Sequence, residues 1–414
     1  MSSEAVRLIA RRNLSLAKVA ACLVLLTCPL AYARERLPPP EPTHQAFVST
    51  EGIARLSRAI EAYKNIARSG DWQPLPNRIT LRLGDSDANV AILRRRLEAT
   101  GDVARSARDP YTFDPALEAG VKRFQMRNGI EPTGTVYGIT QRLLNVPIQT
   151  RIHQLEVNLA RMQQLLPKLT ATPKYLLMNA ASAELQGIRD GQVEITSRTI
   201  AGKRATPTPA LQAQVQAINT LPFWHVPGTI AKAQLIPAVR KDISYLAKER
   251  IRVFSVFGGE EVNPATINWW APDAERFVFR QDPGPQNALG VLRFDMPNKH
   301  IVYMHDTPMK HLFQDFERAF SAGCVRIQNF YNLADWLLAG QDGWNAQRLQ
   351  QEVQNASQRT IKLAKPVPVF FIYLTAWVDG NVVNFRNDLY NRDDNAFDGG
   401  EDVSARAFST SIAP

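Results

Sequence analysis

Cysteine is all but missing from this 414-residue sequence, which holds three. Cys22 and Cys28 fall in the first 33 residues, so Cys324 stands alone in the rest and a disulfide framework is excluded. Long apolar runs are missing too. The best, "VAACLVLL" at 19–26, is shorter than the ~20 residues a membrane-spanning helix needs. No metal is expected, since His44, His153, His225 and His300 lack metal-ligand spacing, and no cofactor is implied. No nucleic-acid module is visible, although the net charge is +10.

What is present begins with Arg7, Arg11, Arg12 and Lys18 ahead of that apolar run, then the small residues of "AYA" (Ala31, Tyr32, Ala33). This order reads as an export signal over 1–33 and places the protein in the periplasm; left uncleaved, the segment would make it membrane-associated. "RRNLS" points weakly to twin-arginine export, and Thr27 in "LLTC" makes a poor lipoprotein site. Without the signal the net charge falls to about +7, which suits a polyanionic surface or a wall polymer, or is simply a soluble basic surface. A lone thiol kept in an oxidising compartment hints at chemical use.

The length allows two or three units. Residues 34–51 open with "RERLPPPEPTH", a Pro-rich tether. Ile53, Leu56, Ile60, Tyr63 and Ala67 predict an amphipathic helix between Gly52 and Gly70. A compact unit with three helices follows over 78–147, with Val90, Leu93 and Leu97 on one face and Leu117, Val121 and Phe124 on the next. Its "RRR" (Arg94–Arg96) is expected to be a solvated face. Ile152, Leu155, Leu159, Met162 and Leu166 predict another helix, ended by Pro167 and Pro173. Composition then turns β-like: Lys174–Lys203 alternates around an Asp190-Gly191 hairpin turn, and short runs at 251–257, 288–294, 299–304 and 367–377 extend the pattern. We expect a mostly β domain over 172–390, with an aromatic and turn-rich insertion at 257–287 long enough to act as a lid. The polar close, 391–414, is expected to be disordered.

Chemistry concentrates in "YMHDTPMKHLFQDFERAFSAGCVRI" (Tyr303–Ile327). His305 follows a strand-like run, and Leu312, Phe313, Phe316 and Phe320 predict one helix between it and the loop that carries the thiol. Small residues at Ser321, Ala322 and Gly323 let backbone amides close on an acyl oxygen. Arg326 is two residues past Cys324, on the same side of an extended segment, where it would lower the thiol pKa and hold a substrate carboxylate. Spacing alone leaves two readings open, a thiol nucleophile with its base or a buried cysteine after an incidental histidine.

The whole segment resembles the L,D-transpeptidase (YkuD) motif: histidine, fourteen to seventeen residues, Ser/Thr-His-Gly-Cys, an apolar residue, then Arg or Asn. Fifteen residues separate His305 from Ser321, and Ala322 departs from the usual second histidine. "FWHVPGTIAK", "RQDPGPQNALGVLRF" and "YMHDTP" are similar to the YcbB-like subgroup. Upstream, Leu81–Gly84, Leu93 with Leu97, Phe124-Gln125 to Gly129 and Thr140 to Asn145 resemble the three-helix peptidoglycan-binding domain. The fold implied is α+β, a mostly β YkuD-type catalytic domain with a lid insertion plus that small helical domain. The resemblance implies Cys324 as nucleophile, His305 as base, the Gly323 and Cys324 amides as oxyanion donors, and Arg326, Tyr303, Trp224 and Ser321 at the substrate. Asp306 or a backbone carbonyl would orient His305. Expected partners are peptidoglycan stem peptides, carbapenem inhibitors and cell-wall synthesis proteins. The implied reaction forms 3→3 cross-links through a cysteinyl thioester. Carboxypeptidase action, ligation of a lipoprotein to the wall, and an inactive wall-binding scaffold are the alternatives.

Overall fold

The computed structural model of the protein describes residues 44–105 and 109–394. The expected export signal, the start of the tether and most of the polar tail lie outside the described residues. Helix α1 (Thr50–Ser69) starts where the Ser49 side chain accepts a hydrogen bond from the Gly52 amide. The tether is not free up to that point: Phe47 and Val48 are buried, and the Phe47 amide donates to Gln186 Oε1 at 3.0 Å. Two apolar side chains in a row have more to gain from the core than from solvent.

Helices α2 (Ala88–Ala99), α3 (Pro115–Arg127) and α4 (Ile139–Leu144) form the small helical unit, the first two capped by Asp87 and Asp114. Leu93, Leu97, Leu117, Val121 and Phe124 fill its core. The expected solvated arginine face is wrong at two of three positions. Arg94 is buried and donates to Thr112 O and Asp114; Arg96 is buried and donates to Leu144 O at 2.6 Å, with its guanidinium over the Trp72 ring. A long aliphatic stem with a fork of donors can satisfy carbonyls at helix ends, so a charged triplet need not face water. Arg127 and Asp102 add a buried ion pair at 2.6 Å.

Helix α5 (Ile148–Thr170) runs through Pro167 instead of ending there. One hydrogen bond lost in its last turn is outweighed by buried Leu155, Met162, Leu165 and Leu169, which pack with α1.

Among the described residues fourteen strands follow: β1 (Lys174–Asn179), β2 (Glu184–Arg189), β3 (Gln192–Gly202), β4 (Leu211–Thr220), β5 (Trp224–His225), β6 (Ile251–Phe254), β7 (Val278–Gln281), β8 (Leu292–Asp295), β9 (Met304–His305), β10 (Ala319–Ser321), β11 (Val325–Ile327), β12 (Thr360–Ile372), β13 (Ala376–Asp379) and β14 (Val382–Phe385). Helices α6 (Gly228–Ile230), α7 (Ile236–Lys241) and α8 (Ser244–Lys248) lie between β5 and β6, and α9 (Phe330–Leu338) and α10 (Ala346–Gln354) between β11 and β12. Asp190 and Gly191 both have positive φ, as a tight hairpin between β2 and β3 requires. In the main sheet β3, β11, β9, β8, β4, β12, β1 and β2 are successive neighbours and β2 pairs back onto β3, with β10 added beside β3. The sheet closes on itself. Leu176 and Met178 of β1 enter the inner core with α9, while Tyr175 and Leu177 face the core shared with α1 and α5.

The insertion is larger than the expected lid. Strands β5, β7 and β6 form their own sheet over a separate core of Leu235, Val253, Trp269 and Phe279. The expected pair of lid tryptophans divides: Trp269 is buried and its Nε1 donates to Pro264 O, whereas Trp270 is 74% exposed. Residues 257–287 are therefore part of a folded cap. At the other end, Asp393 is not loose tail but a buried partner of Arg161 at 2.6 Å.

Asp102→Asn leaves Arg127 as an unpaired buried cation and is expected to cost about 3–5 kcal/mol in urea unfolding, against under about 1 kcal/mol for Glu275→Gln, which breaks only an exposed pair with Lys232. Equal losses would mean that the buried pair is not a strong constraint.

Candidate active site

Strands β9 and β11 run parallel, with Val325 beside Met304 and Arg326 beside His305. Met304, Val325 and Ile327 point into the inner core. By strand alternation Tyr303, His305 and Arg326 take the other face. Cys324 sits one residue ahead of β11 at the rim of that face, half-buried, and the Val325 amide donates to Tyr303 O at 2.9 Å. The register makes Cys324 and His305 diagonal neighbours, a relation that long side chains bridge.

Ahead of the thiol, the expected single helix is absent. One 3-10 turn (Lys310–Gln314) is followed by β10, because the chain must return to the edge of β3 before it turns. His311 lies exposed in that turn. Gly323 has φ 115, open to glycine and strained for other residues, and reverses the chain directly before Cys324. The loop is pinned from two sides. Ser321 Oγ donates to Cys324 O at 2.5 Å and accepts from the Gly323 amide at 3.1 Å, while Thr208 Oγ1 donates to Gly323 O at 2.9 Å.

Three expectations change here. Ser321 is buried with its hydroxyl used inside the loop, so it shapes the turn and is not presented to a substrate. The Gly323 amide is occupied by that hydroxyl; the Cys324 amide has no partner among the described residues. Trp224 belongs to the cap, where β5 pairs with Gln281 and the ring packs on the cap core, not on the thiol. Tyr303, by contrast, is near Cys324: burial, and after it the neighbouring Cys324, raise its hydroxyl pKa.

His305 is buried, and its Nδ1 sits 2.5 Å from Asp306 O. A carbonyl only accepts, so Nδ1 carries the proton and Nε2 is left as the basic nitrogen. The Asp306 carboxylate is turned away, accepting from the Val291 amide at 3.0 Å and from Lys310. The backbone orients the imidazole, settling the alternative left open by sequence. Burial drives the imidazole down to about 3, assisted by the charge of Arg326 and resisted by the Asp306 and Leu289 carbonyls. Burial pushes the Cys324 thiol up, outweighing the Tyr303 amide and Arg326, which pull it down. Arg326 does lower the thiol pKa, as expected, but burial outweighs it. Resting thiol and imidazole are both neutral, and the proton must pass between them during attack.

Arg326 donates to Met309 Sδ at 3.5 Å and has no carboxylate partner among the described residues. Arg293 was not singled out by sequence. It lies beside His305 on β8, with its guanidinium over the Tyr303 ring and paired to Asp295 at 2.8 Å. Thr208 was also missed; a threonine in a turn carries no local signal of a partner 115 residues away.

Residues 173–354 match the YkuD family, described as "L,D-transpeptidase catalytic domain", and residues 86–142 match the family described as "Putative peptidoglycan binding domain". A curated relative from Haemophilus influenzae, named "Putative L,D-transpeptidase", is 32% identical over 220 residues; the match spans 53% of this chain and 44% of the relative. Among solved structures, L,D-transpeptidase 3 from Mycobacterium tuberculosis in complex with a faropenem-derived adduct is 10% identical, with TM-score 0.24, over 48% of this chain and 60% of that one. The Enterococcus faecium catalytic domain acylated by ertapenem is 12% identical, with TM-score 0.23, over 49% and 98%. These two likenesses are too remote to assign a function. Residues 173–354 are thus similar to an L,D-transpeptidase catalytic domain, and residues 86–142, on their N-terminal side, to a peptidoglycan-binding domain.

The buried imidazole has a consequence for stability. Unfolded, His305 binds a proton near the ordinary value of 6.5; folded, it stays neutral down to about 3. Between those values the unfolded state holds the extra proton, so stability falls as pH drops through that window. From pH 7 to 4.5 wild type should lose on the order of 2 kcal/mol more than His305→Gln in urea unfolding. Parallel losses would show that the imidazole is not held neutral.

Proposed function

We propose that the protein is a peptidoglycan L,D-transpeptidase that forms 3→3 cross-links through a thioester on Cys324. The observation that carries the reading is the shared face of Cys324, His305 and Arg326, set by the parallel register of β9 and β11. Cys324 Sγ–H gives its proton to His305 Nε2 as sulfur attacks the carbonyl carbon of the third residue of a stem tetrapeptide. The oxyanion takes a hydrogen bond from the Cys324 amide, joined by the Gly323 amide when the latter exchanges its bond to Ser321. The C–N bond to the terminal D-alanine breaks and His305 returns the proton to the leaving amine. A side-chain amine of a second stem then attacks the thioester, loses a proton to His305 and displaces the thiolate, which is reprotonated. Arg326, without a carboxylate of its own, suits a substrate carboxylate.

Water as acceptor gives a carboxypeptidase, and a lipoprotein amine gives a wall ligase; the first two steps are the same. Export to the periplasm and retention on the wall by residues 78–147 complete the proposal, and carbapenems are the expected acylating inhibitors.

Incubation with disaccharide-tetrapeptides followed by mass analysis tests it. Cross-linked dimers are expected from wild type, none from Cys324→Ser, and a rate reduced about 10²–10⁴-fold for His305→Ala. Tripeptide without dimer would assign the carboxypeptidase reaction, and full turnover by Cys324→Ser would reject the mechanism.

A further inference from the structure

A cleft of about 680 Å³, measured out to its open mouth, lies away from Cys324, where the helical unit meets the closed sheet and the segment after β14. Its apolar lining includes Ile130 and Leu143 from the helical unit and Leu389 from the C-terminal segment. Of the polar side chains that line it, three bear on a ligand. Ser182 is 4% exposed, and its Oγ has no hydrogen-bond partner among the described residues, an unmet need that a native structure seldom tolerates. Arg386 donates to Arg127 O at 3.2 Å and Phe385 O at 2.8 Å and makes no close ion pair among the described residues, with the Glu184 carboxylate acting on it from farther off. Glu317, exposed, makes none either.

Arg386 is braced in place. Gly129, at φ 68, leaves the space it occupies: a Cβ there would come within 2.7 Å of Arg386 Cδ. Any other residue at 129 would be strained and would displace the guanidinium. The glycine that closes the Phe-Gln motif of the helical unit thus serves a cation held directly after β14.

We propose that this cleft binds a short zwitterionic peptide, separate from the thiol site. Its carboxylate pairs with Arg386, its ammonium with Glu317, its aliphatic part covers Ile130, Leu143 and Leu389, and a backbone amide donates to Ser182 Oγ. A cation, an anion, a buried acceptor and an apolar floor in one cleft match that class and suit neither a plain anion nor a plain hydrocarbon. A stem peptide with free carboxylates and a side-chain amine belongs to it, and that choice of ligand rests on the function proposed above. Glu317 and Arg318 lead directly into β10, so an occupied cleft abuts the strand that ends at the Ser321 loop.

The test is photolabelling of the full chain with a tetrapeptide stem carrying a diazirine, with adducts mapped by peptide mass spectrometry. Adducts are expected within 128–143, 316–319 or 387–390, displaced by unlabelled tetrapeptide. The same peptide with its amine acetylated, or with its carboxylates amidated, should compete about tenfold less well. Glu317→Gln with Ser182→Ala should reduce the cleft adducts by a similar factor while imipenem still acylates Cys324 as in wild type. Adducts confined to the Tyr303–Arg326 region, or cleft adducts indifferent to both competitor changes, would overturn the proposal. Cleft labelling in a protein that neither turns over stems nor takes imipenem would leave this site standing and reject the catalytic reading instead.

Discussion

The parallel pairing of β9 with β11 is the constraint from which the site follows. Parallel neighbours cannot be joined by a tight turn, so the chain must leave β9 after His305, cross over and re-enter beside it at Val325. The crossover uses one 3-10 turn and the short β10, and the entry uses Gly323 in a conformation that suits glycine. A slip of one residue in β11 would put Arg326 in the core and Val325 on the site face, and Val325 and Ile327, wholly buried among apolar neighbours, forbid it. The apolar side of two short strands therefore holds the reactive side in place. Closure of the sheet, with β2 returning to β3, leaves those strands no freedom to shear.

Burial then decides the electrostatics. Burial keeps the thiol protonated, and burial with the Arg326 charge keeps the imidazole neutral, so the structure rests without a charge pair. A carbonyl at Nδ1 is enough to direct the other ring nitrogen, and the Asp306 carboxylate is spent on a backbone amide and Lys310. The loop before Cys324 is stiffened by hydroxyls, from Ser321 within it and from Thr208 across from it, a preorganisation that lowers the cost of building an oxyanion site.

Elements with a strong period were legible in the sequence. Leu93 and Leu97, or Leu117, Val121 and Phe124, announce buried helix faces, and Asp190-Gly191 announces a hairpin. The pairing of Cys324 with His305 was legible only as a spacing, and through the resemblance that the spacing carries. Other features were not legible, each because the cause is remote in sequence. Arg94 and Arg96 look solvated until Asp114 and Leu144 are brought to them. Trp269 looks like a partner of Trp270 until the cap core takes one and leaves the other. Phe316 and Phe320 look helical until β3 claims the backbone of 319–321. Arg293 belongs to the same group, since its place beside His305 depends on an antiparallel pairing that no local pattern records.

The central claim is that this register makes Cys324 a nucleophile served by His305, and the most direct measurement is intact-protein mass after brief exposure to imipenem. The account predicts one adduct, located at Cys324, absent from Cys324→Ser and formed at least about a hundredfold more slowly by His305→Ala. An adduct on Cys324→Ser equal to that on wild type, or His305→Ala acylated at the wild-type rate, would contradict it.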